Sequence, residues 1–237
     1  MTESALASKR RAAECAMRFV EPGMVVGLGT GSTTSWVLRR LAELLREGHL
    51  TQILAVATSA ATAKEALRLG ISLTTIEEHP ILDLTLDGAD EVDPDLNAIK
   101  GGGGALLRER IVVQASRREI ILVDESKWSP KLGTKWPVPV EVIPFGWKSQ
   151  AQYLEKLGAA VSLRASRDGS PFLTDQQNYI LDCRFGPIEN AEKLAIRIKE
   201  RTGLVEHGLV LNVITDLIVV GDDLSCRWLT TEGETWM

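Results

Sequence analysis

Short runs of aliphatic and β-branched residues alternate, over residues 25–123, with stretches whose apolar positions recur three and four apart. The runs are Val25–Leu28, 53–56, 82–86 and 120–123; the helical stretches between them are 34–47, 62–69 and 105–117. Strand, helix, strand, helix at this spacing predicts βαβ units. The fold class expected is α/β, with a largely parallel Rossmann-like sheet flanked by helices. Residues 1–20 carry Glu3, Lys9, Arg10, Arg11 and Glu14 among alanines. With no apolar core and no cleavage site, they read as a helix of the mature protein rather than a leader.

Past Lys127 the pattern changes. Pro130, Pro137, Pro139 and Pro144 interrupt a polar, valine-rich stretch that reads as a crossing between domains. A helix (147–157), a strand (160–164), a loop through Asp168-Gly169-Ser170-Pro171, a strand (178–183) and a helix (188–201) then predict a small α+β unit. Residues 209–220 return to strand texture and are expected to rejoin the first sheet. The division expected is an α/β catalytic domain of residues 1–130 and 207–237, with a smaller α+β domain, 131–206, inserted into it.

Composition narrows the partners. Of 237 residues, 44% are hydrophobic, enough for a substantial core. Lys+Arg 27 against Asp+Glu 32 gives −5, so the chain has no general attraction to nucleic acid or anionic membrane. An anionic ligand must be held by local donors. No apolar run approaches the ~20 residues of a membrane span. Cys15, Cys183 and Cys226 are widely spaced and odd in number, which predicts neither a disulfide framework nor a metal pair. A reducing, cytoplasmic setting is the expectation.

Four motifs follow predicted strands, at the carboxyl edge where open α/β sheets bind ligands. Gly27-Leu28-Gly29-Thr30-Gly31-Ser32-Thr33-Thr34 opens a helix, and its backbone N–H groups and hydroxyls suit an anion. It lacks the lysine of a Walker loop. As a dinucleotide fingerprint it has Ser32 for the third glycine, and Ala57-Thr58-Ser59 stands where an acid is expected. A phosphate monoester fits better. Asp87-Gly88-Ala89-Asp90-Glu91-Val92-Asp93-Pro94-Asp95 ends the third strand. As a calcium loop from Asp93 it fails, with Ala98 where glycine is needed and Gly104 where the closing glutamate is needed. A one-metal magnesium site on Asp87 and Asp90 stays open as an alternative. Asp93 and Asp95 suit a solvated acidic turn.

Lys100-Gly101-Gly102-Gly103-Gly104 precedes the helix bearing Arg108-Glu109-Arg110. Four glycines in a row carry a large entropic cost unless something approaches the backbone closely. On the helical wheel Glu109 falls among Ala105, Val112 and Val113. A carboxylate on an apolar face suits a proton carrier, the alternative being a structural ion pair with an arginine. Asp124-Glu125-Ser126-Lys127 places a lysine at the end of the fourth strand. The three histidines form no catalytic set. The expected cleft therefore holds an anion cradle, carboxylates and lysines, with no metal set and no cofactor fingerprint. That suits proton transfer beside a carbonyl on a phosphorylated sugar.

The order and spacing of Gly29-Thr30-Gly31-Ser32-Thr33, Asp87-Gly88-Ala89-Asp90-Glu91, Lys100-Gly101-Gly102-Gly103, Arg108-Glu109 and Asp124-Glu125-Ser126-Lys127 resemble ribose-5-phosphate isomerase type A. The resemblance extends through Pro137-Val138-Pro139-Val140-Glu141-Val142-Ile143-Pro144. It implies a two-domain enzyme without cofactor, a homodimer or homotetramer, that interconverts ribose 5-phosphate and ribulose 5-phosphate in the pentose phosphate pathway. By it, Glu109 is the base between C2 and C1, Asp87 and Asp90 handle sugar hydroxyls and ring opening, and Lys100 stabilises developing negative charge. Thr30, Gly31, Ser32 and Thr33 form the phosphate loop, with Lys127 and Lys9 as its basic partners. Gly88, Ala89, Gly101, Gly102 and Gly103 complete the substrate contacts. Gly104 stands where alanine is also common, Val210 where phenylalanine is expected, and residues 222–237 fit the family poorly. A sugar-phosphate sensor would normally carry a DNA-binding unit, for which about two dozen residues before the first strand leave no room. A lactonase or amino-sugar deaminase would be expected to bring a histidine to the cleft.

Overall fold

The computed structural model describes residues 3–237. In chain order its elements are α1 (Glu3–Ala16), β1 (Val25–Leu28), α2 (Thr34–Arg46), β2 (Leu54–Ala57), α3 (Ala60–Arg68), β3 (Leu84–Gly88), β4 (Glu91–Val92), β5 (Ala98–Ile99), α4 (Leu106–Gln114) and β6 (Glu119–Asp124). There follow β7 (Val138–Val142), α5 (Trp147–Lys156), β8 (Ala160–Leu163), β9 (Tyr179–Arg184), α6 (Ala191–Lys199), β10 (Leu204–His207), β11 (Leu209–Val210), β12 (Asp216–Val220), β13 (Cys226–Thr230) and β14 (Gly233–Trp236).

Two compact units share the chain: Met1–Ala89 with Arg108–Lys127 and Val213–Met237, and Asp90–Leu107 with Trp128–Asn212. The second unit thus takes in 90–107, which the sequence reading kept with the first. The physical reason is a small antiparallel sheet, β11-β5-β4, in which Ile99 pairs with both Leu209 and Glu91. Its strands are two residues long, too short to leave a period in the sequence.

The first unit is built on the sheet β2-β1-β3-β6-β12-β13-β14. Strands β2, β1, β3, β6 and β12 run parallel, and β13 and β14 are antiparallel at one edge. Alternate residues Val26, Leu28, Leu84, Leu86, Ile120, Leu122, Ile218 and Val220 join Ala12, Ala16, Val37 and Leu41 of α1 and α2 in one core. Each fully buried aliphatic side chain contributes about 1.5–3 kcal/mol. On the other face Val112 of α4 clusters with Val56 and Leu82. Gly27 makes room for that helix: a Cβ there would lie 2.7 Å from Val112 Cγ1 and 2.0 Å from Thr85 Oγ1. From β1 the chain moves outward to β2, then returns to lay β3 on the other side of β1. At such a reversal the loops leaving the two central strands part and open a crevice at their carboxyl ends.

In the second unit the sheet β10-β7-β9-β8 is antiparallel throughout. The proline-rich stretch read as a crossing contains β7, an inner strand of this sheet, with Val138, Val140 and Val142 in its core. Pro139 has no N–H to give the ladder, and its carbonyl accepts from Gly208 N at 2.7 Å. The fully buried Glu91 carboxylate accepts N–H groups of Gly133, Lys135 and Trp136, and so ties the loop before β7 to the small sheet.

Two findings concern the ends of the chain. Residues 222–237, which fit the resemblance poorly, include the β13–β14 hairpin that extends the main sheet. The cysteines expected to stay unpaired include a disulfide, Cys15–Cys226, across a separation of 211 residues. It joins α1 to β13, against which that helix packs. Cys183 is free and buried, and burial pushes its thiol well above the ordinary range.

Candidate active site

The loop after β1 is shaped by what lies beside it. Gly29 N donates to Leu86 O at 3.0 Å, and a Cβ on Gly29 would lie 1.9 Å from the Asp87 carboxyl carbon. Only glycine lets the loop lie this close. Gly31 turns the chain at φ +140°, leaving Gly31 and Ser32 exposed. α2 then starts with no side chain capping its first N–H groups. Uncapped helix amides carry partial positive charge and favour an anion. By contrast α3 is capped, Ser59 accepting from Thr62 N. Lys9 of α1 reaches the loop, its Nζ donating to Ser32 Oγ at 2.7 Å, while Ser35 Oγ donates to Ser32 O at 2.8 Å. Lys127, half-buried, closes the 3₁₀ turn after β6.

Asp87, next to last in β3, has 0% exposure. Its Oδ1 accepts from Gly88 N at 2.7 Å, Thr30 N at 3.2 Å and Thr34 Oγ1 at 3.4 Å, so loop and strand end are locked together. Ala89 follows, half-buried. Glu109, on α4, is 3% exposed, a burial its helical phase predicts. Val112 packs against the sheet on Gly27, and Glu109 sits one turn before it.

In the second unit, Asp90 N donates to Ile99 O at 2.8 Å, and Asp90 Oδ2 accepts from Gly102 N at 2.6 Å. A Cβ on Gly102 would lie 2.5 Å from Asp90 Oδ1. This contact accounts for one glycine of the run. Gly101 and Gly104 hold positive φ of +100° and +80°; Gly103 is exposed. Lys100 is 4% exposed, its N–H bonded to Gly208 O at 2.9 Å. The sequence reading missed Arg164, whose Nη1 donates to Gly101 O and Gly102 O at 2.8 and 3.1 Å while Asp182 holds its guanidinium. No local pattern marks it. Missed too were Thr58 and Ser59, noticed only as the absence of an acid after β2, and Thr62, read only as the start of a helical stretch. Asp93, taken for part of a solvated turn, is largely buried; burial raises its carboxyl above the usual range, against the N–H groups of Asn97 and Asp95 that it accepts.

Among the described residues no group of three or more His, Cys, Asp and Glu is placed to hold a metal ion, and no helix is long and apolar enough to cross a membrane. The family model of ribose 5-phosphate isomerase A (phosphoriboisomerase A) matches residues 54–224. The chain belongs to the ribose-5-phosphate isomerase A family. It is therefore an enzyme of the aldose–ketose isomerase class. A ribose-5-phosphate isomerase A from Chloroflexus aurantiacus is 52% identical over 222 residues, 94% of this chain and 93% of that protein. One from Desulfatibacillum aliphaticivorans is 51% identical over 92% of this chain and 94% of its own length. Among solved structures, ribose 5-phosphate isomerase from Plasmodium falciparum superposes with a TM-score of 0.91 at 38% identity, covering 95% of this chain and 99% of that one. A D-ribose-5-phosphate isomerase in complex with phospho-erythronic acid gives 0.89 at 35% identity over 97% of each chain.

Proposed function

We propose that this isomerase interconverts D-ribose 5-phosphate and D-ribulose 5-phosphate through an enediolate, with Glu109 as the base and no cofactor, in the non-oxidative branch of the pentose phosphate pathway. The observation that carries this is Glu109 itself, a carboxylate only 3% exposed in the same unit as the uncapped N-terminus of α2. Glu109 takes the proton from C2 of the open-chain aldose, exchanges it in part with solvent while the enediolate lives, and protonates C1, while O2 loses a proton and O1 gains one to give the ketose. Asp87 and Asp90 serve the sugar hydroxyls and ring opening, and Lys100 stabilises the enediolate oxygen. The phosphate is seated by the loop from Thr30 to Thr33, with Ser32, Lys9 and Lys127. Phospho-erythronic acid, held by the related isomerase, supports this reading: it joins a phosphate to a planar carboxylate beside a hydroxyl-bearing carbon, a shape that an enediolate shares. The resemblance also carries the expectation of a cytoplasmic homodimer or homotetramer.

The test is Glu109→Gln assayed with ribose 5-phosphate in heavy water. Wild type should form ketose with deuterium at C1. The variant should lose about 10²–10⁴-fold in kcat and still bind the sugar phosphate. Turnover retained by the variant would overturn Glu109 as base, and ketose still unlabelled after repeated interconversion would overturn the enediolate.

A further inference from the structure

Thr30 sits among three other hydroxyls on the β2 side of its loop. Its Oγ1 lies 2.8 Å from Thr58 Oγ1, 2.8 Å from Ser59 Oγ and 3.2 Å from Thr62 Oγ1. Ser59 Oγ is 3.0 Å from Thr62 Oγ1, which is 2.9 Å from Gly29 O. Thr58, Ser59 and Thr62 are all buried. A hydroxyl has one proton to donate and two lone pairs to accept with. That count sets the direction of the whole chain. A carbonyl only accepts, so the Thr62 proton goes to Gly29. Ser59 Oγ accepts Thr62 N as the cap of α3 and gives its own proton to Thr62 Oγ1. Thr30 donates to Ser59, and Thr58 donates to Thr30. The protons therefore run one way, from Thr58 through Thr30, Ser59 and Thr62 to the Gly29 carbonyl.

Thr30 has no proton left for a ligand. Its hydroxyl proton enters the chain and its amide goes to Asp87 Oδ1. We propose that Thr30 is a positioning residue rather than a phosphate donor, and that the hydroxyl chain from Thr58 to the Gly29 carbonyl holds the loop in the register that seats the Asp87 carboxylate. Phosphate contact then falls to the amides of residues 31–33, the Ser32 hydroxyl and the basic side chains. The kinetic part of this inference rests on the isomerase reading above.

The experiment compares wild type with Thr30→Val, Thr62→Val, the double variant and Thr30→Ser. Both valines keep the shape and remove the hydroxyl. Three readouts are taken: kcat and KM for ribose 5-phosphate, the affinity for inorganic phosphate by calorimetry, and the urea midpoint. Each valine variant should lower kcat about three- to tenfold and leave KM and phosphate affinity within about twofold. The double variant should be no worse than the poorer single one, since breaking the chain once frees every member. Thr30→Ser should restore kcat, which a need for bulk alone would not. A Thr30→Val enzyme with weakened phosphate binding, raised KM and unchanged kcat overturns the proposal, as do two substitutions that simply add. If wild type does not turn over ribose 5-phosphate, the isomerase reading fails separately, and the chain is still judged by phosphate affinity and by non-additivity in the urea midpoints.

Discussion

Gly29→Ala adds a single methyl group, and the structure says where it goes. The new carbon would lie 1.9 Å from Asp87 Cγ and Oδ1 and 2.5 Å from Oδ2. Ordinary contact is about 3.5 Å, so the carboxylate must move by roughly 1.5 Å. It cannot do so and keep its Oδ1 bonds to Thr30 N, Thr34 Oγ1 and Gly88 N. Overpacking costs about 1–3 kcal/mol, and each of one to three lost hydrogen bonds about 1 kcal/mol, which together predict a destabilisation of roughly 2–6 kcal/mol. The catalytic loss is larger in proportion, because displacing a working group by about 1 Å lowers kcat/KM about 10²-fold. Ketose formation from ribose 5-phosphate measures the second effect and a urea titration the first. Gly88→Ala is the control: its Cβ would meet Thr33 Cβ at 3.6 Å, an ordinary contact. It should lose far less stability, which isolates the steric part of the effect. A Gly29→Ala enzyme within about threefold of wild type would refute the idea that the placement of Asp87 against this glycine matters to turnover.

Two further outcomes follow from burial and from the covalent link. Burial raises the Asp93 carboxyl in the folded state; a folded-state value above the unfolded one means that the group's contribution is complete in acid and is lost as pH rises through the folded value. Asp93→Asn keeps an acceptor for the N–H groups of Asp95 and Asn97 and removes the buried charge. Its urea midpoint should therefore match or exceed wild type at pH 7.5, with the advantage shrinking toward pH 4; a deficit independent of pH would contradict this. Thiol titration of the chain unfolded without reductant should count one free thiol, Cys183, against three after reduction; three thiols in both samples would show Cys15 and Cys226 to be unlinked.

Much of the first unit was legible because its strands are continuous apolar runs and its helices carry one apolar stripe. Both patterns survive in a single sequence. Glu109 was legible for the same reason, its phase on α4 placing it among valines. The Pro139 strand was not, since proline is rare in an inner strand, and Val138, Val140 and Val142 were read as part of a crossing. The hydroxyls of Thr58, Ser59 and Thr62 carry no period and no charge; only the return of β2 to the side of β1 assembles them around Thr30. Arg164 meets the glycine run through a separation of 63 residues, and Cys15 meets Cys226 through 211. Contacts of that range depend on topology, and a window along the chain cannot see them.

The chain passes from one compact unit to the other after residues 89, 107, 127 and 212. The first passage falls between Asp87 and Asp90, the second just before Glu109, and the third directly after Lys127. Neither unit is a contiguous segment, so no truncation can release either one whole. Length variation should be filtered accordingly: an added or deleted residue at these junctions would shift where the chain leaves one unit's sheet and enters the other's, whereas the exposed turn at Gly169, with open space around it, can grow or shrink within its own unit.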